Sequence, residues 1–514
     1  MYTLGDIPRK GATSFGKFEA VVFENTRLTY NQLNQRTNRL ANGLASLGFQ
    51  KGDRLTILTE NTHKYLEIYF AAAKLGMSST PLNIRLSDSE LEHIINDSEA
   101  TCLLVGDTYE ERIAALKGKL GHIKQWISLD NPAQGFLDYE KLLAESAVDD
   151  PRIEVDENEM AILMYTGGTT GLPKGVMMSH RNLMTAFIAT GLGAGFTHDD
   201  ATCFVLPLFH VSFWPAMAVL ITGGKVAVNR RVDFDLILQL IQDEKCTHIN
   251  AVPVLYSWLM MMDLDKYDLS SLRTMGYAGS PFPPDVLKQC IEKFGPIFEQ
   301  GYGMTEALGA TALPKWDHVT EGDRSKLLAS AGKEMICAEV QVMDEADKPA
   351  PLNSIGEIVV RGKHVMLGYW KNPELTAEVL RNGWYHTGDM GYIDDDGYLF
   401  MVDRKADMIV TGGENVYPRE TEDVLYKHPA VLECAVVSAP DPKWGERVHA
   451  AVVLKPDQSA TEEELIAFCK ENLTGYKCPK GVDFWAELPK TPVQKILRKD
   501  IKKKLWEGHD RTIG

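Results

Sequence analysis

The residues best placed to do chemistry stand in one run, Thr166-Gly-Gly-Thr-Thr-Gly-Leu-Pro-Lys-Gly175. Gly167, Gly168 and Gly171 let backbone N–H groups approach an anion closely. Thr166, Thr169 and Thr170 add hydroxyl donors, and Lys174 adds positive charge. Several donors and one cation on a small-residue loop suit a polyphosphate. The run is not the familiar ATPase loop, which needs Lys-Ser/Thr after its last glycine; here Pro173 precedes Lys174 and Gly175 follows it.

Such a loop needs rigid flanks. Met160 to Tyr165 reads as a short buried strand and Asn182 to Thr190 as a helix, so the loop is expected to join strand to helix, where a helix N-terminus adds to the anion site. The same alternation fills the first half of the chain. Thr29 can cap a helix carrying Leu33, Leu40, Leu44 and Leu47. Arg54 to Thr59 reads as strand, Asn61 to Leu75 as helix, and Ser87 with Glu90 as a capping box. Lys225 to Val228, Phe234 to Glu244 and His248 to Val252 continue the pattern. The fold class expected is α/β, with mostly parallel sheets flanked by helices.

Beyond about Lys315 strands and turns take over, among them Glu339 to Met343 and Glu357 to Arg361. Gly388-Asp389, Asp396-Gly397 and Gly412-Gly413 read as turns. From about residue 405 a small α+β unit is expected, with helices at Glu420 to Lys427 and Glu462 to Asn472 and strands at Glu433 to Ser438 and Arg447 to Leu454. The basic tail with Lys490, Arg498, Lys499, Lys502, Lys503 and Lys504 reads as a solvated amphipathic helix.

The 514 residues call for at least two domains. A net charge of -17 argues against nucleic-acid and anionic-membrane partners. The eight cysteines show no CxxC or zinc spacing and read as reduced core residues. No leader pattern and no run approaching the ~20 apolar residues of a membrane span is present, so a cytoplasmic protein without integral membrane association is expected.

The loop resembles the phosphate loop of the adenylate-forming superfamily, which contains acyl-CoA synthetases, luciferases and peptide-synthetase adenylation domains. The usual second residue of that loop is Ser, where this chain has Gly167. Four further motifs follow in order: Gly301-Tyr-Gly-Met-Thr-Glu306 after Gly279-Ser280-Pro281, Tyr385-His-Thr-Gly-Asp389, Asp403-Arg-Lys-Ala-Asp-Met-Ile-Val-Thr-Gly-Gly-Glu-Asn415, and Pro489-Lys-Thr-Pro-Val-Gln-Lys495. The resemblance implies a large domain over residues 1–404, with a distorted β-barrel beside the parallel sheets, and a small mobile domain over 405–514. It implies that Gly279, Ser280, Pro281, Gly301, Tyr302, Gly303 and Met304 surround the adenine of ATP. Thr305 would contact the α-phosphate, Glu306 hold Mg²⁺, Asp389 the ribose and Arg404 the nucleotide. Lys495 would be the catalytic lysine. Gly412 and Gly413 would leave room for the pantetheine of coenzyme A.

The implied chemistry is physically coherent. A carboxylate is a poor acylating agent until attack on the ATP α-phosphate turns it into an acyl-adenylate. Cations and positioned donors must then stabilise charge around an in-line displacement. No general base is needed, because the acid is ionised near neutral pH. Thiol attack on the adenylate would follow a rotation of the small domain, in which Lys495 leaves and the Gly412-Gly413 loop arrives. Two positions depart from the family pattern: Ala406 at the hinge, where Lys or Asp is usual, and Gln494 before the lysine, where Gly is usual.

The segment Phe209-His-Val-Ser212 resembles the one in which peptide-synthetase adenylation domains usually carry an Asp for the substrate amine; it lacks that Asp, so the resemblance implies that an α-amino acid is not the substrate. The resemblance places His210 at the acyl pocket, and Phe213, Trp214, Val252 and Tyr256 suggest that the pocket is apolar, for a medium-chain, alicyclic or aromatic acid. Three activities compete: an acyl-CoA synthetase acting on a small-molecule acid and coenzyme A, a ligase loading a carrier protein, and a non-catalytic nucleotide-binding regulator. A homodimer is compatible with each.

Overall fold

Capping chemistry written into the sequence starts several helices. Reciprocal side-chain and backbone bonds join Thr29 to Gln32 at helix Tyr30–Ser46, Ser87 to Glu90 at Asp88–Asp97, Ser179 to Asn182 at His180–Ala194, and Thr461 to Glu464 at Glu462–Asn472. Each pair satisfies two amides that the helix itself leaves unbonded. The computed structural model describes residues 2–166, 173–280, 282–411, 413–491 and 496–507.

Two large sheets form the first part of the chain. In one, the strands Glu19–Phe23, Lys225–Val228, Ala201–Phe204, His248–Ala251, Thr274–Ala278 and Phe298–Met304 lie side by side in parallel. In the other, Met160–Thr166, Ser78–Pro81, Arg54–Leu58, Cys102–Val105 and Gln125–Ser128 do the same. Helix His63–Leu75 packs against both sheets, and all 13 of its residues are buried, its charged Lys64, Glu67 and Lys74 in ion pairs with Asp130, Arg36 and Asp150. Tyr69 uses its hydroxyl on the Leu208 carbonyl at 2.8 Å, which satisfies the one polar atom it carries inside.

A third, antiparallel sheet joins Glu339–Met343, Gly356–Arg361, Trp384–Ile393, Leu380–Arg381 and Leu399–Arg404, and corresponds to the expected barrel. After Arg404 the chain builds a separate core. Strand Val431–Asp441 alternates: Cys434 and Val436 face helices Pro418–Leu425 and Glu462–Asn472, while Ala435 and Val437 face helix Arg498–Leu505. No helix among the described residues is long and apolar enough to cross a membrane. All eight cysteines are free thiols.

Three expectations are corrected. The phosphate-loop candidate does not run from strand to helix. Strand Lys174–Ser179 intervenes and pairs antiparallel with Met160–Thr166, so that Thr166 faces Lys174 at the end of a hairpin. Gly388-Asp389 is no turn: both lie inside strand Trp384–Ile393, at a bulge where Gly388 has φ +73° and its amide donates to the Glu357 carboxylate at 3.1 Å. Finally, Lys490 is not solvated, since its charged group is buried against Glu433, and the half-buried Arg498 is held by Glu422 and Asp403.

Candidate active site

Parallel strands end at a common edge, and the predicted residues collect there. Val252 follows His248–Ala251, Gly279 and Ser280 follow Thr274–Ala278, and Gly301 to Met304 close Phe298–Met304. Val252 lies 3.7 Å from where a Cβ on Gly279 would sit. Thr305 and Glu306 occupy the tight hairpin between Phe298–Met304 and Leu308–Leu313. That hairpin dictates Gly303: a Cβ there would stand 1.7 Å from the Leu308 carbonyl oxygen. Thr305 is buried and Glu306 half-buried, with the Glu306 carbonyl accepting the Met366 amide at 2.8 Å.

Glu306 is tied to the lysine of the Gly/Thr run through Tyr369. The Tyr369 hydroxyl donates to Glu306 Oε1 at 2.8 Å, and the Lys174 ammonium lies 5.8 Å from the centre of the same ring. Backbone pairing explains the meeting. The short strand Gly368–Tyr369 pairs with Val176 and Met177, and the Trp370 amide bonds the Gly175 carbonyl at 2.7 Å. Burial and the Glu306 carboxylate push the Tyr369 phenol well up, so it stays a proton donor.

A second set lies alongside. The Tyr302 hydroxyl donates to Asp389 Oδ2 at 2.9 Å, and Arg404 Nε lies 3.3 Å from Asp389 Oδ1. Asp389 and Arg404 are direct partners across paired strands. Asp389 is further held by its amide, which donates to Thr387 Oγ1 at 3.0 Å. Tyr385 is buried between the two sets: burial raises its phenol, and the charges of Glu306 and Asp389 both add to the rise. Arg404 is nearly half exposed and feels both carboxylates. Lys174, Glu306, Tyr302, Asp389 and Arg404 thus share one site. Tyr369 and Tyr385 join them, and the first carries no local signal in the sequence beyond a Gly-Tyr pair.

The candidate acyl residues divide. His210 Nδ1 accepts the Ser212 amide at 3.2 Å, which puts the neutral ring's proton on Nε2. Trp214 is half-buried, near Gly309 and Met335. Phe213 is fully buried, with ring centres 5.3 Å from Tyr69 and 5.8 Å from Phe187. Tyr256 is buried too, its hydroxyl on the Gly276 and Ile249 carbonyls at 2.6 and 3.1 Å. Gly413 has φ +87° beside the Thr411–Glu414 strand pair. Gly167, Gly168, Thr169, Thr170, Gly171, Pro281, Gly412 and Lys495 lie outside the described residues.

Comparison with known proteins extends this geometry. A family model described as AMP-binding enzyme matches residues 9–370, and one described as AMP-binding enzyme C-terminal domain matches 420–495. A feruloyl-CoA synthase from an Amycolatopsis species is 39% identical over 508 residues, covering 98% of this chain and 99% of the relative. The crystal structure of the anthranilate CoA ligase AuaEII with anthranoyl-AMP matches with a TM-score of 0.90 at 26% identity, over 98% of this chain and 97% of that one. The o-succinylbenzoate CoA synthetase of Bacillus subtilis, with its acyl-adenylate, matches at 0.85 and 32% identity, over 96% and 97%. The chain belongs to the AMP-binding enzyme family. It is an AMP-forming acid–CoA ligase, which uses ATP and coenzyme A on a small-molecule carboxylic acid by way of an acyl-adenylate.

Proposed function

We propose that this ligase activates an aromatic acid, with Lys174, Glu306, Tyr302, Asp389 and Arg404 holding ATP and Lys495 acting in adenylation. The observation that carries the nucleotide assignment is the convergence of residues up to 230 positions apart, Lys174 to Arg404, on the shared pair Tyr369 and Tyr385. Cations at Lys174 and Arg404 suit phosphate oxygens, and the Asp389 carboxylate suits ribose hydroxyls.

Glu306 fits a magnesium ion. Tyr369 fixes one carboxylate oxygen, and one oxygen held in this way leaves the other as a ligand for the ion. No group of three or more His, Cys, Asp or Glu that could hold a metal occurs among the described residues, so phosphate and water oxygens would complete the sphere, as is usual for this ion. When bound, the ion neutralises charge on the phosphates.

The acid class rests on the acyl region and on the relatives. No carboxylate stands in the Phe209 to Trp214 segment, and Trp214 offers a half-buried aromatic face. The relatives above are named for feruloyl, anthranilate and succinylbenzoate, all aryl compounds. We divide the chain at Arg404, with 1–404 holding ATP and acid. Residues 405–514 would rotate between the half-reactions, bringing Gly412 and Gly413 to the pantetheine arm. A cytoplasmic location accompanies this reading, because ATP and coenzyme A are drawn from that pool.

Pyrophosphate release over a panel of aromatic, alicyclic and medium-chain acids, with and without coenzyme A, tests the proposal. Aryl acids should turn over fastest and should need free coenzyme A for multiple turnovers. Faster turnover of a medium-chain acid would remove the aromatic assignment.

A further inference from the structure

Lys490 is out of place as an ordinary tail lysine. Its side chain is only 6% exposed, and its ammonium is 2.8 Å from Glu433 Oε1, itself 8% exposed. A buried ammonium needs more than one carboxylate to replace its water. The remaining partner comes from more than two hundred residues earlier in the chain: Nζ lies 5.0 Å from the ring centre of Trp258. Trp258 belongs to helix Pro253–Leu259, which directly follows Val252, and its ring meets that of Phe234 edge-on with centres 6.2 Å apart. Lys490 and Glu433 belong to the small C-terminal unit. The contact therefore joins the two units.

Its position gives it a consequence. Lys490 pairs as an isolated bridge with Ile496, and the Leu497 amide donates to the Pro489 carbonyl at 2.8 Å. These bonds close the base of the segment that contains Lys495. A second anchor follows immediately. Arg498 reaches Glu422 at 2.6 Å and, at 3.3 Å each, Asp403 and Asp407 on either side of Ala406. The chain on either side of Lys495 thus carries two paired cations, the buried Lys490 resting on the large unit and the half-buried Arg498 on the chain crossing.

We infer that Lys490 and Trp258 form a reversible dock that holds the C-terminal unit against the large unit in the arrangement used for adenylation. Lys490 is a positioning residue in this role. The Lys490–Glu433 pair travels with the C-terminal unit, so rotation exposes it to water rather than leaving either charge alone. The ring contact consequently biases the arrangement without locking it. This inference rests on the proposed role of Lys495.

The test uses the full chain with the two half-reactions measured separately: acid-dependent ATP–pyrophosphate exchange, and thioester formation from supplied acyl-adenylate and coenzyme A. Trp258→Leu removes the ring and leaves the ion pair. It should slow exchange by about tenfold through kcat, with thioester formation within about twofold of the parent, the rate equivalent of one partly desolvated cation–π contact. Trp258→Phe should restore most of the exchange. A double variant, Lys490→Gln with Glu433→Gln, removes the cation without stranding its carboxylate and should show the same split. Equal loss of both half-reactions, or a change confined to KM for the acid, would overturn the dock. Lys495→Ala run in parallel separates the two layers. If it fails to abolish exchange selectively, the reading beneath the dock falls as well. If it succeeds while Trp258→Leu shows no split, the dock alone falls.

Discussion

Replacing Tyr369 by Phe tests the centre of the site with one atom. The variant keeps the ring, and with it the Lys174 contact at 5.8 Å, and removes only the hydroxyl that donates to Glu306 at 2.8 Å. A hydrogen bond to a charged group is worth about 1.5–3 kcal/mol, or about 10- to 150-fold in rate if it acts fully in the transition state. Glu306 is half-buried, so water can enter and recover part of this, which places the expected loss near the lower end, about tenfold. The loss should depend on magnesium. With its carboxylate no longer fixed, Glu306 must be ordered by the ion itself, so half-saturation should move to higher magnesium concentration. The assay is initial-rate pyrophosphate release against magnesium at saturating ATP and acid. Tyr369→Ala should lose more, because it also removes the ring beneath Lys174. A Tyr369→Phe enzyme with unchanged rate and unchanged magnesium dependence would refute the positioning argument.

Gly303→Ala should unfold the Thr305–Glu306 hairpin or shift it, since its Cβ meets the Leu308 carbonyl at 1.7 Å, whereas Gly301→Ala meets only a methyl at 4.0 Å and should fold normally; urea midpoints for the two variants compare them directly, and equal midpoints would contradict the geometry. Gly413→Leu strains a backbone held at φ +87° but meets no heavy atom within 4 Å of its Cβ, so it should slow thioester formation more than pyrophosphate exchange, which coenzyme A saturation curves would reveal. Burial holds His180, His318 and His364 down to about 4, against about 6.5 in an unfolded chain. Between those values the unfolded chain takes up protons that the folded one refuses, so stability should fall as pH drops from about 6.5 to about 4, by about 1.4 kcal/mol per pH unit for each histidine. Burial raises Asp403 to about 6 and acts in the opposite sense: its contribution is present below about 4 and lost as pH rises through 6, so it offsets about one histidine. Urea unfolding at pH 7.5 and 5.5 measures the balance, and an unchanged free energy would contradict it.

What could be read from the sequence was local in origin. The Thr29 and Ser87 caps bond atoms three residues away, so spacing alone reveals them. The helix Phe234–Glu244 and the strand Lys225–Val228 fall where their periodicity puts them, because each buries one simple face or is buried throughout. The missed features depend on partners far away in the chain. Lys-Gly-Val-Met-Met-Ser, residues 174–179, has weak strand character; it is extended because Met160–Thr166 pairs on one side and Gly368–Tyr369 on the other. Gly388-Asp389 has the composition of a turn, and only the Glu357 carboxylate, 31 residues away, converts it into a bulge that aims Asp389 at Tyr302.

The same distinction separates the residues of the site from those that hold them. Glycines and charged residues that face a ligand stand in dense, ordered runs, since a phosphate chain spans only a few residues of backbone. The groups that orient them have no such constraint on spacing. Tyr369 is 63 residues from Glu306, and Trp258 more than two hundred from Lys490. A lone tyrosine, tryptophan or lysine has a bland reading in sequence, and for lysine in a basic tail that reading is solvent. Burial is what overturns it. Removing Lys490 from water is unfavourable unless Glu433 and Trp258 both receive it, so its 6% exposure identifies a constraint on where the small unit can sit. The lysine proposed to act in adenylation is conspicuous in its motif; the one proposed to set how the small unit docks is recognisable only once the fold has closed around it.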